Sequence, residues 1–140
     1  MHLFEAQKLS QSTIQKMYSL NSPQHILNRI KENYFFIAQD NKNEKIVGVI
    51  GLRKDKGSKV HNRISTFFVL HEYQGKGIGK ILFNKVLNLA IKFNVKKMVV
   101  NSSLFAEPIY RHLGFKKVRI VSKNYPNGDV YKNVWMEKQM

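Results

Sequence analysis

From Ile78 to Phe93 the apolar residues Ile78, Ile81, Leu82, Val86, Leu89, Ala90 and Phe93 recur three and four places apart, with Lys80, Asn84, Lys85, Asn88 and Lys92 between them. That spacing gathers one apolar stripe on a 3.6-residue turn and predicts a long amphipathic helix. Short apolar runs bounded by turn residues predict strands over Tyr34 to Ala38, Lys45 to Arg53, Arg63 to Leu70, Val95 to Asn101, Phe115 to Val121 and Val130 to Met136. Asp40 to Asn43 reads as the turn of a first hairpin, and Asn124 to Asp129 as that of a closing one. Ser10 to Leu20, Pro23 to Asn33 and Leu104 to Leu113 carry helical spacing. Ser22 is placed as an N-cap before Pro23, and Gly114 is the residue expected just past a C-terminus.

Composition narrows the class. At 140 residues and 43% hydrophobic content, residues 1–140 have the size of one compact domain, and no second domain is expected. No apolar run approaches the roughly 18 residues of a membrane span, and Met1 to Glu5 lacks the order of a signal peptide, so a cytoplasmic protein without membrane partners is expected. The absence of cysteine removes disulfides and thiolate chemistry, and the five histidines show no close helical pairing, so no metal site is expected.

Charge is the outlier. Against 24 Lys and Arg stand 9 Asp and Glu, a net +15. No acid occurs from Tyr73 to Ala106, an interval holding Lys76, Lys80, Lys85, Lys92, Lys96 and Lys97. A basic surface of this kind is a solvated face, or it meets a polyanionic cofactor, an acidic substrate or protein, or nucleic acid.

The excess brackets Gln74-Gly75-Lys76-Gly77-Ile78-Gly79-Lys80, which lies between a strand-like run and the long helix. Three alternating glycines permit a sharp turn with unobstructed N–H groups, and the helix adds its unpaired N-terminal amides. Such a cradle favours phosphate or pyrophosphate, where a plain chain reversal is the alternative. Neither nucleotide fingerprint is met. Counting from Gly75, the sixth place of a dinucleotide motif is Lys80, and a triphosphatase loop would need glycine at Gln74 and Ser or Thr at Ile81.

The run Phe67-Phe68-Val69 followed by Glu72 to Lys80 resembles the acyl-CoA signature of the GCN5-related N-acetyltransferases (GNAT), in which Arg or Gln is followed after two residues by Gly, one residue, and Gly or Ala. A second block, Ala106-Glu107-Pro108-Ile109-Tyr110-Arg111-His112-Leu113-Gly114-Phe115, is similar to that family's later helix and strand, with Tyr four residues before Gly-Phe. The resemblance implies an α/β (α+β) fold: a mixed, mostly antiparallel sheet of about six to seven strands, about four helices, and strands splayed around the coenzyme A site. It implies acetyl-CoA as cosubstrate and no metal. The cofactor-binding residues it points to are Phe67, Phe68, Val69, Gln74, Gly75, Lys76, Gly77, Ile78, Gly79, Lys80 and, more weakly, Ser103, which stands where many members have Asn.

The family's backbone at Phe67 to Val69 would pair with the pantetheine amides as an added strand, and one amide would polarise the thioester carbonyl, a device that contributes roughly 3 to 4 kcal/mol to catalysis. Tyr110 matches the family's general acid, the alternative being an aromatic packed on the core. A phenol near pKa 10 protonates a thiolate of conjugate pKa near 8.5 at a cost of about 2 kcal/mol. The glutamate that many members carry after the long helix has no counterpart in Lys97 to Val100, and Glu5, His61, His71 and Glu72 stand as unranked candidates for a base. The function implied is acetyl transfer to a primary amine of a small molecule or protein. The alternatives are a basic nucleic-acid-binding module, which no RNA or DNA motif supports, and a non-catalytic acyl-CoA sensor. The last strand, around Trp135, packs into the core or serves as the edge of a homodimer.

Overall fold

The computed structural model describes residues 33–140. The helices expected over Ser10 to Leu20 and Pro23 to Asn33 lie outside the described residues, apart from Asn33 itself. The described elements are β1 (Tyr34–Gln39), β2 (Ile46–Lys54), β3 (His61–Val69), a 3-10 turn (His71–Tyr73), α1 (Ile78–Lys92), β4 (Lys97–Ser103), α2 (Glu107–His112), β5 (Lys116–Asn124) and β6 (Val130–Gln139). The six strands form one open sheet in the order β1-β2-β3-β4-β6-β5, with β1–β2, β2–β3 and β5–β6 antiparallel. This is the mixed α+β architecture expected from the sequence. The described chain divides into two compact units, 33–99 with 139–140, and 100–138.

In the first unit, the β1–β2 hairpin is closed by Asp40, whose Oδ1 accepts the Lys42 amide at 2.9 Å and whose backbone carbonyl accepts the Glu44 amide at 2.8 Å. β2 is buried along most of its length, enclosing Val47, Ile50 and Leu52, and α1 packs on it. The buried face of α1 is Leu82, Phe83, Val86 and Ala90. Each large apolar side chain enclosed there stabilises the fold by roughly 1.5–3 kcal/mol relative to exposure. The stripe is rotated from the expected one: Ile81 is 59% exposed and Phe83 only 3%. Helical spacing admits both residues, and the sheet's position selects between them.

Asn94 stops α1 at φ 57, with its amide bonded to Ile91 O and that of Val95 to Ala90 O, both at 3.0 Å, a Schellman arrangement. Across β2 and β3, Ile50 faces Phe67 and Leu52 faces Ile64, so Ser65 and Thr66 together oppose the single Gly51. The strand bulges there. A Cβ on Gly51 would collide with Ser65 Oγ and the Phe35 ring.

In the second unit, α2 ends in the same way, with Gly114 at φ 97, its amide on Arg111 O and that of Phe115 on Tyr110 O. β6 buries Tyr131, Val134 and Met136. It lies between β4 and β5, so the expectation that the last strand forms a dimer edge does not hold: β5 is the edge among the described residues. Trp135 is half-buried, beneath the Arg119 guanidinium at 5.1 Å and donating Nε1–H to Glu137 Oε2 at 3.1 Å. No helix among the described residues is long and apolar enough to cross a membrane.

Candidate functional site

The glycine-rich segment belongs to the first unit. Leu70 N–H donates to Val47 O at 2.8 Å, closing the β2–β3 ladder, and the 3-10 turn follows. Gln74 Nε2 then donates to Val69 O at 2.9 Å, fastening the turn to the end of β3. Gly75 and Gly77 have φ of 78° and 82°, in the left-handed region that favours glycine. A Cβ at either position would meet nothing within 4 Å, so the requirement for glycine is set by the backbone and the space outside is open.

Gly77 is the N-cap of α1 and provides no side-chain cap. The first bond of the helix ladder runs from Ile81 N–H to Gly77 O at 3.1 Å, so the amides of Ile78, Gly79 and Lys80 precede it. No acid lies in the first turn, and Lys76 and Lys80 are exposed. Donors, open space and the positive end of a 15-residue helix together suit an anion.

Gly79 has a different task. It is helical, and a Cβ there would lie 3.7 Å from Phe67 Cζ and 3.8 Å from Val69 Cγ2. The space between α1 and β3 there admits a methyl group at ordinary contact distance. At that end of β3, Phe67, Phe68 and Val69 face Ile50, Val49 and Gly48 of β2; Val69 is buried, Phe67 half-buried and Phe68 38% exposed. The sequence-predicted cofactor residues Phe67 to Val69 and Gln74 to Lys80 are thus brought together in one unit.

Two further side chains reach this segment that the sequence does not single out. Tyr73 donates its hydroxyl to Asp40 Oδ2 at 2.6 Å, and Lys76 Nζ lies 5.3 Å from the Tyr73 ring centroid. The phenol bond and the Lys42 amide hold the Asp40 carboxyl below its ordinary value of 3.8, and the same bond raises Tyr73 above 10. The β1–β2 turn is thereby tied to the entrance of the glycine segment.

Ser103 and Tyr110 belong to the second unit. Ser103 Oγ accepts the Ala106 amide at 3.0 Å, arresting the chain before α2 and starting the helix three residues after the expected Leu104. Ser102 Oγ donates to Ser103 O at 2.7 Å. Tyr110 is 6% exposed, with its ring edge-on to Phe115 at 5.5 Å and 74°. Burial raises its pKa well above 10, because the phenolate loses its hydration. Asn101, unremarked in the sequence, has a side-chain oxygen that is buried and without a hydrogen-bond partner, a state that costs roughly 1–3 kcal/mol. Ser65 Oγ of the first unit is also buried without a partner, pressed against Gly51.

Of the candidate bases, Glu5 lies outside the described residues, and His71 and Glu72 are exposed in the 3-10 turn. His61 packs against Tyr34 at 4.9 Å and Phe93 at 6.1 Å, where β3 begins and far in sequence from the glycines.

No curated protein matches the chain by sequence. Solved structures do match in fold. A GCN5-related N-acetyltransferase from Rhodopseudomonas palustris aligns with a TM-score of 0.78 at 18% identity, over 99% of this chain and 81% of its own. The PaiA N-acetyltransferase from Thermoplasma acidophilum, in complex with coenzyme A, gives 0.68 at 19% identity over 94% and 80%. A GNAT acetyltransferase from Elizabethkingia anophelis with acetyl-CoA bound gives 0.62 at 18% over 86% and 84%. The family model of the acetyltransferase (GNAT) domain matches residues 5–137, nearly the whole sequence, and the chain therefore belongs to the GNAT acetyltransferase family.

Proposed function

We propose that the protein is an acetyl-CoA-dependent N-acetyltransferase that moves an acetyl group to a primary amine by direct attack on the thioester, residues 1–140 forming one catalytic domain. The observation that carries this reading is the left-handed pair Gly75 and Gly77 ahead of a helix whose first amides have no acceptor in the helix ladder. Membership of the family supplies the reaction class.

Bound acetyl-CoA would supply an activated acyl group on a thiolate leaving group. The amides of Ile78, Gly79 and Lys80 would hold the diphosphate, with Lys76 and Lys80 adding charge-assisted contacts. Gln74, bonded to Val69 O, would keep the segment against the strand end. The backbone of Phe67 to Val69 would receive the pantetheine arm, and Ser103, its oxygen already engaged by Ala106, retains a hydroxyl hydrogen to donate. Tyr110 would return a proton to the departing sulfur. Its raised pKa keeps the phenol protonated throughout the neutral range, and the reaction must supply the larger cost of removing that proton.

The acceptor follows from charge. With 24 cationic residues against 9 anionic ones, a polycationic acceptor is repelled, and a small amine of low charge, an amino-acid derivative or a protein amino group beside acidic residues is favoured. The test has two parts. Calorimetric titration with acetyl-CoA should show binding at micromolar to low millimolar concentration. Thiol release should then be followed with benzylamine, leucinamide, lysine, spermidine and a peptide beginning Ala-Asp-Glu. Absence of acetyl-CoA binding defeats the reading, and binding without thiol release on any amine leaves a sensor in place of an enzyme.

A further inference from the structure

We infer that Asn101 is the residue that positions the acceptor amine, its side-chain oxygen accepting one N–H of the attacking nitrogen. This rests on the acetyltransferase reading above. The starting observation is an imbalance within three consecutive polar residues. Ser102 donates to Ser103 O, and Ser103 Oγ accepts from Ala106, so both are engaged inside the fold. Asn101 Oδ1 is equally cut off from solvent and bonds to nothing. Buried polar atoms in folded proteins are nearly always paired, so an unpaired one calls for an explanation: the bulge at Gly51 supplies it for Ser65, and a ligand supplies it for Asn101.

The strand's alternation places that oxygen. Met98, Val100 and Ser102 are each at most 3% exposed and share one face of β4. Asn101 and Ser103 share the other, about 7 Å apart along the strand. Ser103 is the residue of this unit read as a contact to the acyl carrier, so Asn101 is its neighbour on the same face.

The atom's chemistry selects the partner. An amide oxygen only accepts, which repels phosphate and carboxylate and calls for N–H or O–H. Its buried setting, with no carboxylate to pair a cation, disfavours an ammonium, which also has no lone pair with which to attack. A neutral amine presents both an N–H for Asn101 and a lone pair for the acyl carbon. In the balanced step the nitrogen lone pair forms the C–N bond, the C–S bond breaks with its electrons on sulfur, the nitrogen loses one proton and the sulfur gains one. Asn101 takes no proton, so it orients the amine and does not replace the carboxylate absent from Lys97 to Val100.

The test compares Asn101→Ala and Asn101→Asp with the wild type, using whichever panel amine the wild type turns over fastest. Deleting an unpaired buried oxygen leaves no orphan, so Asn101→Ala should melt no lower than wild type, confirming an intact fold. Its KM for the amine should rise about tenfold while its calorimetric Kd for acetyl-CoA changes less than about twofold. Asn101→Asp, which keeps an acceptor oxygen, should bring KM back to within about threefold of wild type. In the coenzyme A complex of the wild type, the side-chain amide resonances that Asn101→Ala removes should shift on addition of that amine. An unchanged amine KM in Asn101→Ala overturns the inference, and so does an acetyl-CoA Kd that rises in step with KM, which would give the oxygen to a pantetheine N–H. Silence of the wild type on every amine defeats the enzyme reading itself and this inference with it.

Discussion

Tyr73 and Asp40, 33 residues apart, are joined by a 2.6 Å hydrogen bond from phenol to carboxylate. The bond fixes the turn of the first hairpin to the residue directly before Gln74, and the same ring carries the Lys76 ammonium. Removing either partner should therefore loosen the entrance to the glycine segment without touching the ligand. Asp40→Asn and Tyr73→Phe are each expected to weaken coenzyme A binding by about threefold, the modest effect of a partly exposed contact that does not touch the ligand. The double variant should be no worse than either single one, because both remove the same bond. Calorimetry on the three proteins checks this. The pH sign is fixed by the depressed carboxyl: the contribution is present above pH 3.8 and is lost as pH falls through the lower folded value.

Gly77 and Gly79 should respond in opposite directions to the same change. At Gly77 an alanine is forced into φ 82 with open space around it, which costs roughly 1–2 kcal/mol of stability and disturbs the amides that follow. At Gly79 the backbone is helical and the new methyl meets Phe67 and Val69 at 3.7–3.8 Å, ordinary van der Waals contact. Gly79→Ala should then stabilise by about 0.5–1 kcal/mol. Denaturant melts of the two variants separate these outcomes. Gly79→Leu, by contrast, must push α1 off β3 and should lose both stability and coenzyme A affinity.

The different duties of these two glycines bear on what the sequence conveys. Their spacing, the strand before them and the helix after them were all legible, since each depends on local backbone preference. The helix stripe was legible only to within one face: Ile81 and Phe83 both satisfy the period, and the decision lies in where β2 sits. Strand order was not legible, because β6 turns back inside β5 through pairing that no local pattern encodes. The Asp40–Tyr73 bond and the orphan oxygen of Asn101 escaped for the same reason, as both exist only once distant segments have been brought together.

Binding of the acyl carrier should fall steeply with salt. Lys76 and Lys80 are exposed, and although the Asp40 carboxylate acts on Lys76, no acid occurs along the chain from Tyr73 to Ala106. The attraction they add is screened over about 10 Å at 0.1 M salt, whereas hydrogen bonds from the helix amides are short-ranged. Raising sodium chloride from 0.05 to 0.5 M, roughly a threefold drop in screening length, should weaken coenzyme A binding by about tenfold or more. Lys76→Ala and Lys80→Ala should each flatten that dependence, and equal slopes in all three proteins would show that the lysines do not meet the ligand.

The acid role proposed for Tyr110 and its place in the fold can be measured separately. As the acid, its loss in Tyr110→Phe should lower kcat by at least about tenfold, within the usual range for general acid catalysis, while acetyl-CoA affinity stays within about twofold. As a buried phenol it also links folding to alkaline pH. Its folded pKa is raised above the ordinary 10 by burial, so the stability attached to the neutral form is fully present below pH 10 and is lost as pH rises toward the folded value. Denaturant midpoints measured between pH 8 and 11.5 should therefore fall in the wild type above pH 10, and less so in Tyr110→Phe, which has no proton to lose at that site. A variant with normal turnover but the flattened alkaline limb would leave Tyr110 as a core aromatic stacked on Phe115 and return the acid role to another group.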